Sequence, residues 1–134
     1  MLGKREPEIY GYYTLDQINE KIKIKSQSIG IEVECRQSNH EGDLVDWIQD
    51  SYGKFDGIII NPGAYTHTSI AIKDAISSIP IPCIEVHLSN IKAREEFRHK
   101  SLITPVVIGS ISGFGFYSYL LALDAIKYYL TDRV

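Results

Sequence analysis

The chain has 134 residues, of which 44% are hydrophobic and 23% charged, a composition that suits one globular domain with its own core. A net charge of -3 argues against a nucleic-acid partner, because such a partner needs a basic protein face. No apolar run is long enough to cross a membrane, and the N-terminal residues MLGKREPEIYG contain no hydrophobic signal core. Cys35 and Cys83 both lie in apolar strand patterns, so we interpret them as reduced core residues of a cytoplasmic protein.

The first part of the chain predicts a charged loop, a helix and a strand. Residues 1–13 show no periodic element and are predicted to form a solvated loop. Thr14 and Gln17 have the pattern of a capping box, and the helix that they begin can end at Gly30. Strict alternation of apolar and polar side chains over residues 31–36 predicts a strand with one buried face.

The middle of the chain predicts two helices on either side of a buried strand. Ser38 and Glu41 have the capping-box pattern again, which predicts that a second helix begins there. Residues 55–60 end in an apolar run, which predicts a buried strand. A third helix is predicted to begin after Thr68 or Ser69, since either side chain can cap it.

The last part of the chain predicts two strands and two helices. Residues 82–86 have a strand pattern that leads directly to His87, and residues 90–98 predict a short charged helix. Residues 106–111 predict the last strand, after which a glycine-containing turn opens a final helix.

Helices and strands thus alternate along residues 1–134, as in a single domain of the α/β class. We therefore predict a parallel sheet with helices on both faces, as is found in doubly wound folds such as those of the flavodoxin type. Such a sheet normally begins with a strand that lies inside it, whereas the first element predicted here is a helix. A first strand of about five residues is therefore expected before Met1 and missing from this chain.

Polar side chains follow two strands that are predicted to be neighbours in the sheet. Asn61 follows residues 55–60, and His87 follows residues 82–86. The carboxyl ends of parallel strands meet at one edge, where ligands bind, and His67 lies in the loop beyond Asn61. The residues alone leave two interpretations of His87 open: an acid–base catalyst, or a histidine satisfied by a backbone carbonyl.

The charged helix predicted after His87 offers groups for an anionic ligand. Backbone N–H groups at Ser89 and Asn90 can bind an anion at the start of that helix. Arg94 and Arg98 lie one helical turn apart and can either contact the same ligand or form salt bridges with neighbouring glutamates.

Other kinds of site have little support in the sequence. The four histidines form no metal-binding spacing with one another or with Glu85, and no cysteine pair suggests zinc. No phosphate-binding glycine motif follows a strand, and no serine-hydrolase motif is present, which argues against a nucleotide-binding module and a hydrolase. The residues alone predict a metal-free cleft with a histidine, suited to acid–base chemistry on a small anionic substrate.

Five blocks of sequence, in order, resemble type II 3-dehydroquinate dehydratase. These blocks are REPEIYG (5–11), QSNHEGDLVDWI (37–48), IIINPGAYTHTS (58–69), IEVHLSN (84–90) and AREEFRHKS (93–101). The resemblance implies a flavodoxin-like fold, no cofactor, and a homododecamer of four trimers. It also implies a hydro-lyase of the shikimate pathway, which leads to aromatic amino acids. Such an enzyme eliminates water from 3-dehydroquinate through an enolate and yields 3-dehydroshikimate.

The resemblance also implies that residues 1–13 form a mobile loop at the active site, and it implies roles for individual residues. Tyr10 matches the base that removes the proton next to the substrate ketone, and Arg5 matches the cation that favours its phenolate. His87 matches the general acid that protonates the departing hydroxyl, and Glu85 matches the residue that orients it. The implied substrate-binding residues are Asn61, His67, Leu88, Ser89, Arg98 and, reaching the site of a neighbouring subunit, Asp74.

The beginning of the chain departs from the family pattern. The family opens with a strand and a loop that reads like NGPNLN, and both would precede Met1. This departure leaves an alternative open, namely a truncated, non-catalytic subunit of the same fold.

Overall fold

The computed structural model describes residues 13–89 and 101–132. Within these residues three parallel strands form one sheet in the order β1-β2-β3, and α-helices precede, connect and follow them. The strands are β1 (Ile58–Ile60), β2 (Cys83–His87) and β3 (Gly109–Ser112); the α-helices are α1 (Leu15–Ser28), α2 (Glu41–Asp50), α3 (Ile70–Ser77) and α4 (Tyr117–Thr131); and short 3₁₀ helices span Gly63–His67 and Thr104–Val106. None of these helices is long and apolar enough to cross a membrane.

The central strand of this sheet is β2, which pairs in parallel with both neighbours. Ile60 of β1 lies opposite Glu85, and Ser112 of β3 lies opposite His87. Every residue of β2 is buried, as is typical of a parallel strand with helices on both faces. The predicted parallel α/β sheet is therefore confirmed.

Two hydrophobic clusters lie on opposite faces of the sheet. Cys83 packs in one cluster with Ile48 of α2 and Ile72 of α3. Ile84, the next residue along β2, packs in the other cluster with Ala122 of α4. Because successive side chains of a strand point to opposite faces, the helices cover both sides of the sheet, as the order of elements predicted.

The first capping box is confirmed, and the second is wrong. The N–H of Gln17 donates to Thr14 Oγ1 at 3.2 Å, while Gln17 Oε1 accepts from the Thr14 N–H at 2.8 Å. At α2 the N-cap is His40, with no side-chain cap, so Ser38 lies two residues too early to cap the helix. Its hydroxyl instead donates to the Asp43 carboxylate at 2.7 Å and so contacts a side chain in the first turn of α2.

The strand predicted over residues 31–36 is also wrong, although its alternation is real. Ile31, Val33 and Cys35 are half-buried and pack against α1 and α4, while the residues between them are exposed. A strand needs a hydrogen-bonded neighbour as well as a buried face, and no strand of residues 13–89 and 101–132 pairs with this segment. Alternation of apolar and polar residues therefore shows which face of a segment is buried, but it does not show whether another strand pairs with it.

The remaining strands are present with shifted ends. β1 begins three residues later than predicted, at Ile58, and β2 extends one residue further, to His87. β3 begins three residues later than predicted, at Gly109, because Val106 belongs to the 3₁₀ helix Thr104–Val106. Ser69, rather than Thr68, caps α3, and its Oγ accepts from the Ile72 N–H at 2.9 Å. The helix predicted for residues 90–98 lies outside the described residues.

Candidate active site

A buried acid–base pair lies at the carboxyl end of β2. Glu85 and His87 are two positions apart, so both side chains point to the same face of the strand. Their Oε2 and Nε2 atoms are 2.6 Å apart. Glu85 is 0% exposed and His87 is 5% exposed, so both groups are shielded from bulk water. The histidine nitrogen therefore bonds a carboxylate, and its interpretation as a core histidine on a backbone carbonyl is not supported.

Two hydroxyl groups complete the surroundings of the Glu85 carboxylate. Thr104 Oγ1 donates to Oε1 at 2.6 Å, and Ser101 Oγ donates to Oε2 at 3.0 Å. Burial alone would raise the pKa of Glu85, but the hydrogen bonds from His87, Thr104 and Ser101 and the His87 charge outweigh it and lower the pKa. Glu85 is therefore an ionised acceptor near neutral pH.

The ionised carboxylate determines how His87 can exchange a proton. A carboxylate only accepts hydrogen bonds, so the proton between Glu85 and His87 belongs to Nε2 of the imidazole. The other ring nitrogen, Nδ1, is then the atom that can carry a proton to or from a ligand. Because the carboxylate accepts from Nε2 and leaves Nδ1 as the donor, the pair is suited to general acid catalysis.

Asn61 follows β1 directly and lies beside this pair, because the residue before it, Ile60, is opposite Glu85. Its side-chain amide is held at both ends. Oδ1 accepts from the Gly63 N–H at 3.1 Å, and Nδ2 donates to the Tyr119 hydroxyl at 3.1 Å. Asn61 and His87 therefore lie at the same edge of the sheet, as the sequence predicted.

The loop after β1 brings His67 toward the same edge. The 3₁₀ helix Gly63–His67 ends at this half-buried histidine. The carbonyl of the preceding residue, Thr66, accepts from the Leu102 N–H at 2.8 Å. This bond joins the loop after β1 to the turn that carries Ser101, one of the groups that contacts Glu85.

The end of β2 is held from the β3 side by two glycines. The Gly113 N–H donates to the His87 carbonyl at 3.2 Å, and the Gly115 N–H donates to the Leu88 carbonyl at 2.8 Å. Both glycines have positive φ values, of 97° and 57°, which a side chain would disfavour. Leu88 is 2% exposed and packs under α4, so a ligand at this position meets its backbone. Ser89 follows as a half-buried residue.

The other predicted site residues lie elsewhere. Asp74 is exposed on α3, with its side chain on the surface of this subunit. Arg5, Tyr10, Asn90, Arg94 and Arg98 lie outside the described residues. Among residues 13–89 and 101–132, no three His, Cys, Asp or Glu side chains come together as a metal site.

Three residues of this site were missed by sequence reasoning: Ser101, Thr104 and Tyr119. Ser101 and Thr104 are 16 and 19 positions from Glu85, and Tyr119 is 58 positions from Asn61. No periodicity links residues so far apart. The one available signal was the position of Ser101 within the block AREEFRHKS, which carried no assigned role.

Comparisons with known proteins identify the family to which the chain is similar. A model of the family described as Dehydroquinase class II matches residues 1–127. The chain is 61% identical over 133 residues to a 3-dehydroquinate dehydratase of Trichodesmium erythraeum, covering 99% of this chain and 89% of that relative. It is 53% identical over 134 residues to the enzyme of the same name from Clostridium perfringens, covering 99% of this chain and 92% of the relative.

The fold has a similar counterpart among solved structures. The type II dehydroquinase from Butyrivibrio crossotus superposes with a TM-score of 0.91 at 50% sequence identity. The superposition covers 94% of this chain and 88% of that one.

Proposed function

The chain belongs to the dehydroquinase class II family, and we propose that it dehydrates 3-dehydroquinate with His87 as the general acid. The activity is that of a hydro-lyase: water leaves, and 3-dehydroshikimate remains. The observation that carries this proposal is the Glu85–His87 pair, buried at the strand end where parallel sheets bind ligands. The intact pair favours catalysis over the alternative of a non-catalytic subunit.

The general acid acts late in the reaction. Removal of a proton beside the substrate ketone gives an enolate, whose collapse expels a hydroxyl group. Nδ1 of His87 donates a proton to that hydroxyl, which departs as water. The carboxylate of Glu85 remains ionised and keeps its hydrogen bond with Nε2, which holds the ring in place. A positioned general acid of this kind typically contributes about 10²–10⁴ in rate.

The base that starts the reaction is Tyr10 in this proposal. A free tyrosine has a pKa of about 10, so it needs a neighbouring cation to act near neutral pH. Arg5 supplies that cation. Both assignments rest on the block REPEIYG, which matches the family.

The proposed substrate contacts surround the pair. The Asn61 amide has a fixed orientation, and His67 follows it on the same loop. The backbone at Leu88 and Ser89, together with Arg98, contacts the polar groups of the substrate. No cofactor takes part, because proton transfers alone balance the elimination.

We further propose that the subunits assemble as a homododecamer of four trimers and that Asp74 reaches the site of a neighbour. Support comes from α3, where Asp74 is exposed and Ile70, four positions earlier on the same helix face, is 65% exposed. In the proposed assembly, the contact between subunits covers this isoleucine and brings the Asp74 carboxylate to the neighbouring subunit.

The proposed location is the cytoplasm, where this step of the shikimate pathway would operate. Support comes from the cysteines, Cys35 and Cys83, which are free thiols. Burial raises the pKa of Cys83 to about 12, so the thiol stays protonated and unreactive.

A direct assay tests the function. The purified chain is mixed with 3-dehydroquinate, and the ultraviolet absorbance of the conjugated enone product is followed. We expect turnover by the wild type and its loss in Tyr10→Phe, while binding of substrate survives. The exposed Tyr52→Phe variant serves as a control with wild-type turnover. A folded wild-type chain without turnover would contradict the proposed function, and normal turnover in Tyr10→Phe would remove Tyr10 from its role.

A further inference from the structure

We propose that Ser101 and Thr104 are positioning residues, which hold Glu85 in the orientation that makes Nδ1 of His87 the proton-donating atom. The expected effect on turnover rests on the proposed dehydration, whereas the hydrogen bonds of Ser101 and Thr104 to Glu85 are independent of that function. Neither hydroxyl is assigned to the substrate. Both act on catalysis through the carboxylate that they contact.

The hydroxyl of Ser101 has one possible direction. Its Oγ accepts from the Ile103 N–H and from the Thr104 N–H, each at 3.0 Å. A serine hydroxyl has two acceptor sites and one donor proton, so both acceptor sites are filled. The remaining proton is directed to Oε2 of Glu85 at 3.0 Å. The backbone of the turn thereby aims the serine proton at the carboxylate.

Thr104 holds the other oxygen of the same carboxylate. Its Oγ1 donates to Oε1 at 2.6 Å, while Oε2 bonds both Ser101 and His87. Rotation of the Glu85 carboxylate would break all three bonds at once inside a region closed to water. Losing a hydrogen bond to a buried charge is costly, so the group is held in one orientation.

The turn that carries the two hydroxyls is anchored in the core. Ile103, between them, is 0% exposed and packs with α2 and α3. On one side of it, the Leu102 N–H donates to the Thr66 carbonyl at 2.8 Å. The packing of Ile103 against α2 and α3 therefore fixes the position of the two hydroxyl donors.

The fixed carboxylate selects the tautomer of His87. With Glu85 ionised and immobile, Nε2 keeps its hydrogen, and proton exchange takes place at Nδ1. Removing one hydroxyl weakens the stabilisation of the ionised carboxylate and lets it rotate. Cys83 and His87 are the titratable groups of the described residues that interact with Glu85, and both lie on β2 itself.

Kinetics of Thr104→Val test the proposal, because valine keeps the shape of threonine and lacks the donor. We expect kcat to fall about 10- to 100-fold, with KM changed by less than about threefold. We also expect the acid limb of the pH profile of kcat to move to higher pH, because the ionised form of Glu85 is less well stabilised. Thr104→Ser should restore most of kcat, and Ser101→Ala should resemble Thr104→Val. The control is Thr131→Val on α4, whose hydroxyl donates to the Lys127 carbonyl at 2.7 Å. A Thr104→Val variant with wild-type kcat and an unmoved acid limb overturns the proposal.

A second measurement needs no activity. The ¹⁵N signals of the His87 ring, assigned by comparison with His87→Asn, report which nitrogen carries the hydrogen when the ring is neutral, the form that remains after Nδ1 has donated its proton. We expect the Nε2–H form in the wild type and a mixture of both tautomers in Thr104→Val. If the wild type and Thr104→Val show the same single tautomer, the proposal is wrong. If the wild-type ring behaves as expected and turnover is still absent, the proposed function fails and the positioning role stands.

Discussion

Glu85 and His87 face the same side of β2, with Oε2 and Nε2 2.6 Å apart and the carboxylate fully withdrawn from solvent. Strand alternation makes this contact possible, and the parallel sheet carries it to the edge where ligands bind. A buried carboxylate is stable there because three side-chain donors compensate its lost hydration. The same donors keep it ionised beside the proton-carrying ring.

Removing the acid should slow the chemistry more than the binding of substrate. In His87→Asn we expect kcat to fall by about 10²–10⁴, because the leaving hydroxyl loses its proton donor. Glu85→Gln should lower kcat by about 10- to 100-fold, since the His87 ring loses the carboxylate that accepts from Nε2. Steady-state assays of both variants check this, with thermal melts to show that each is folded. Wild-type kcat in His87→Asn would exclude it as the general acid.

The stability of the fold should depend on the charge of Glu85. Its pKa is lower in the folded chain than its ordinary value of 4.5, so the ionised group stabilises the fold above that value. This stabilisation is lost as the pH falls through the lowered pKa. We expect the free energy of unfolding to drop less between pH 7 and strongly acidic pH in Glu85→Gln than in the wild type. Urea titrations across this range measure the slope, and the exposed Glu20→Gln should behave as the wild type.

The bond between Asn61 and Tyr119 should matter for substrate affinity. Tyr119→Phe removes the acceptor of Asn61 Nδ2, so that the amide is held less firmly, through the bond from the Gly63 N–H to Oδ1. We expect KM to rise about 2- to 10-fold with a smaller change in kcat, which corresponds to the loss of one neutral hydrogen bond. The matched control is Tyr128→Phe on the same helix, where the ring is 60% exposed. Equal KM values for the two variants would show that Tyr119 does not position the amide.

The exposed face of α3 should control assembly. Ile70→Asp places a charge where we propose a contact between subunits, while aspartate in the first turn of a helix is favourable for folding. We expect this variant to elute as a smaller species in size exclusion and to lose at least about tenfold in activity, because Asp74 no longer reaches a neighbour. Ile24→Asp on α1, where isoleucine is 57% exposed, serves as the control. An unchanged elution volume for Ile70→Asp would contradict the assembly proposed here.

Local patterns were informative wherever a residue acts through its near neighbours in the chain. Thr14 with Gln17 is such a case, because both partners of a capping box lie within one turn. Ser38 with Glu41 has the same pattern, yet α2 begins at Glu41, after His40, and the serine finds Asp43 instead. Residues 31–36 show the same limit for strands, since alternation does not reveal the partner that a ladder requires.

The amino-acid sequence by itself determined the order of helices and strands, the parallel α/β class, the family, and the placing of Asn61 and His87 at strand ends. These follow from periodicity and from short blocks of adjacent residues. Only the tertiary structure decided which atoms meet. Ser101 and Thr104 contact Glu85 across a separation of 16 and 19 residues, because the core packing of Ile103 brings their turn against β2. Hydrogen bonds are directional and short-ranged, so they form only after packing has placed their donors.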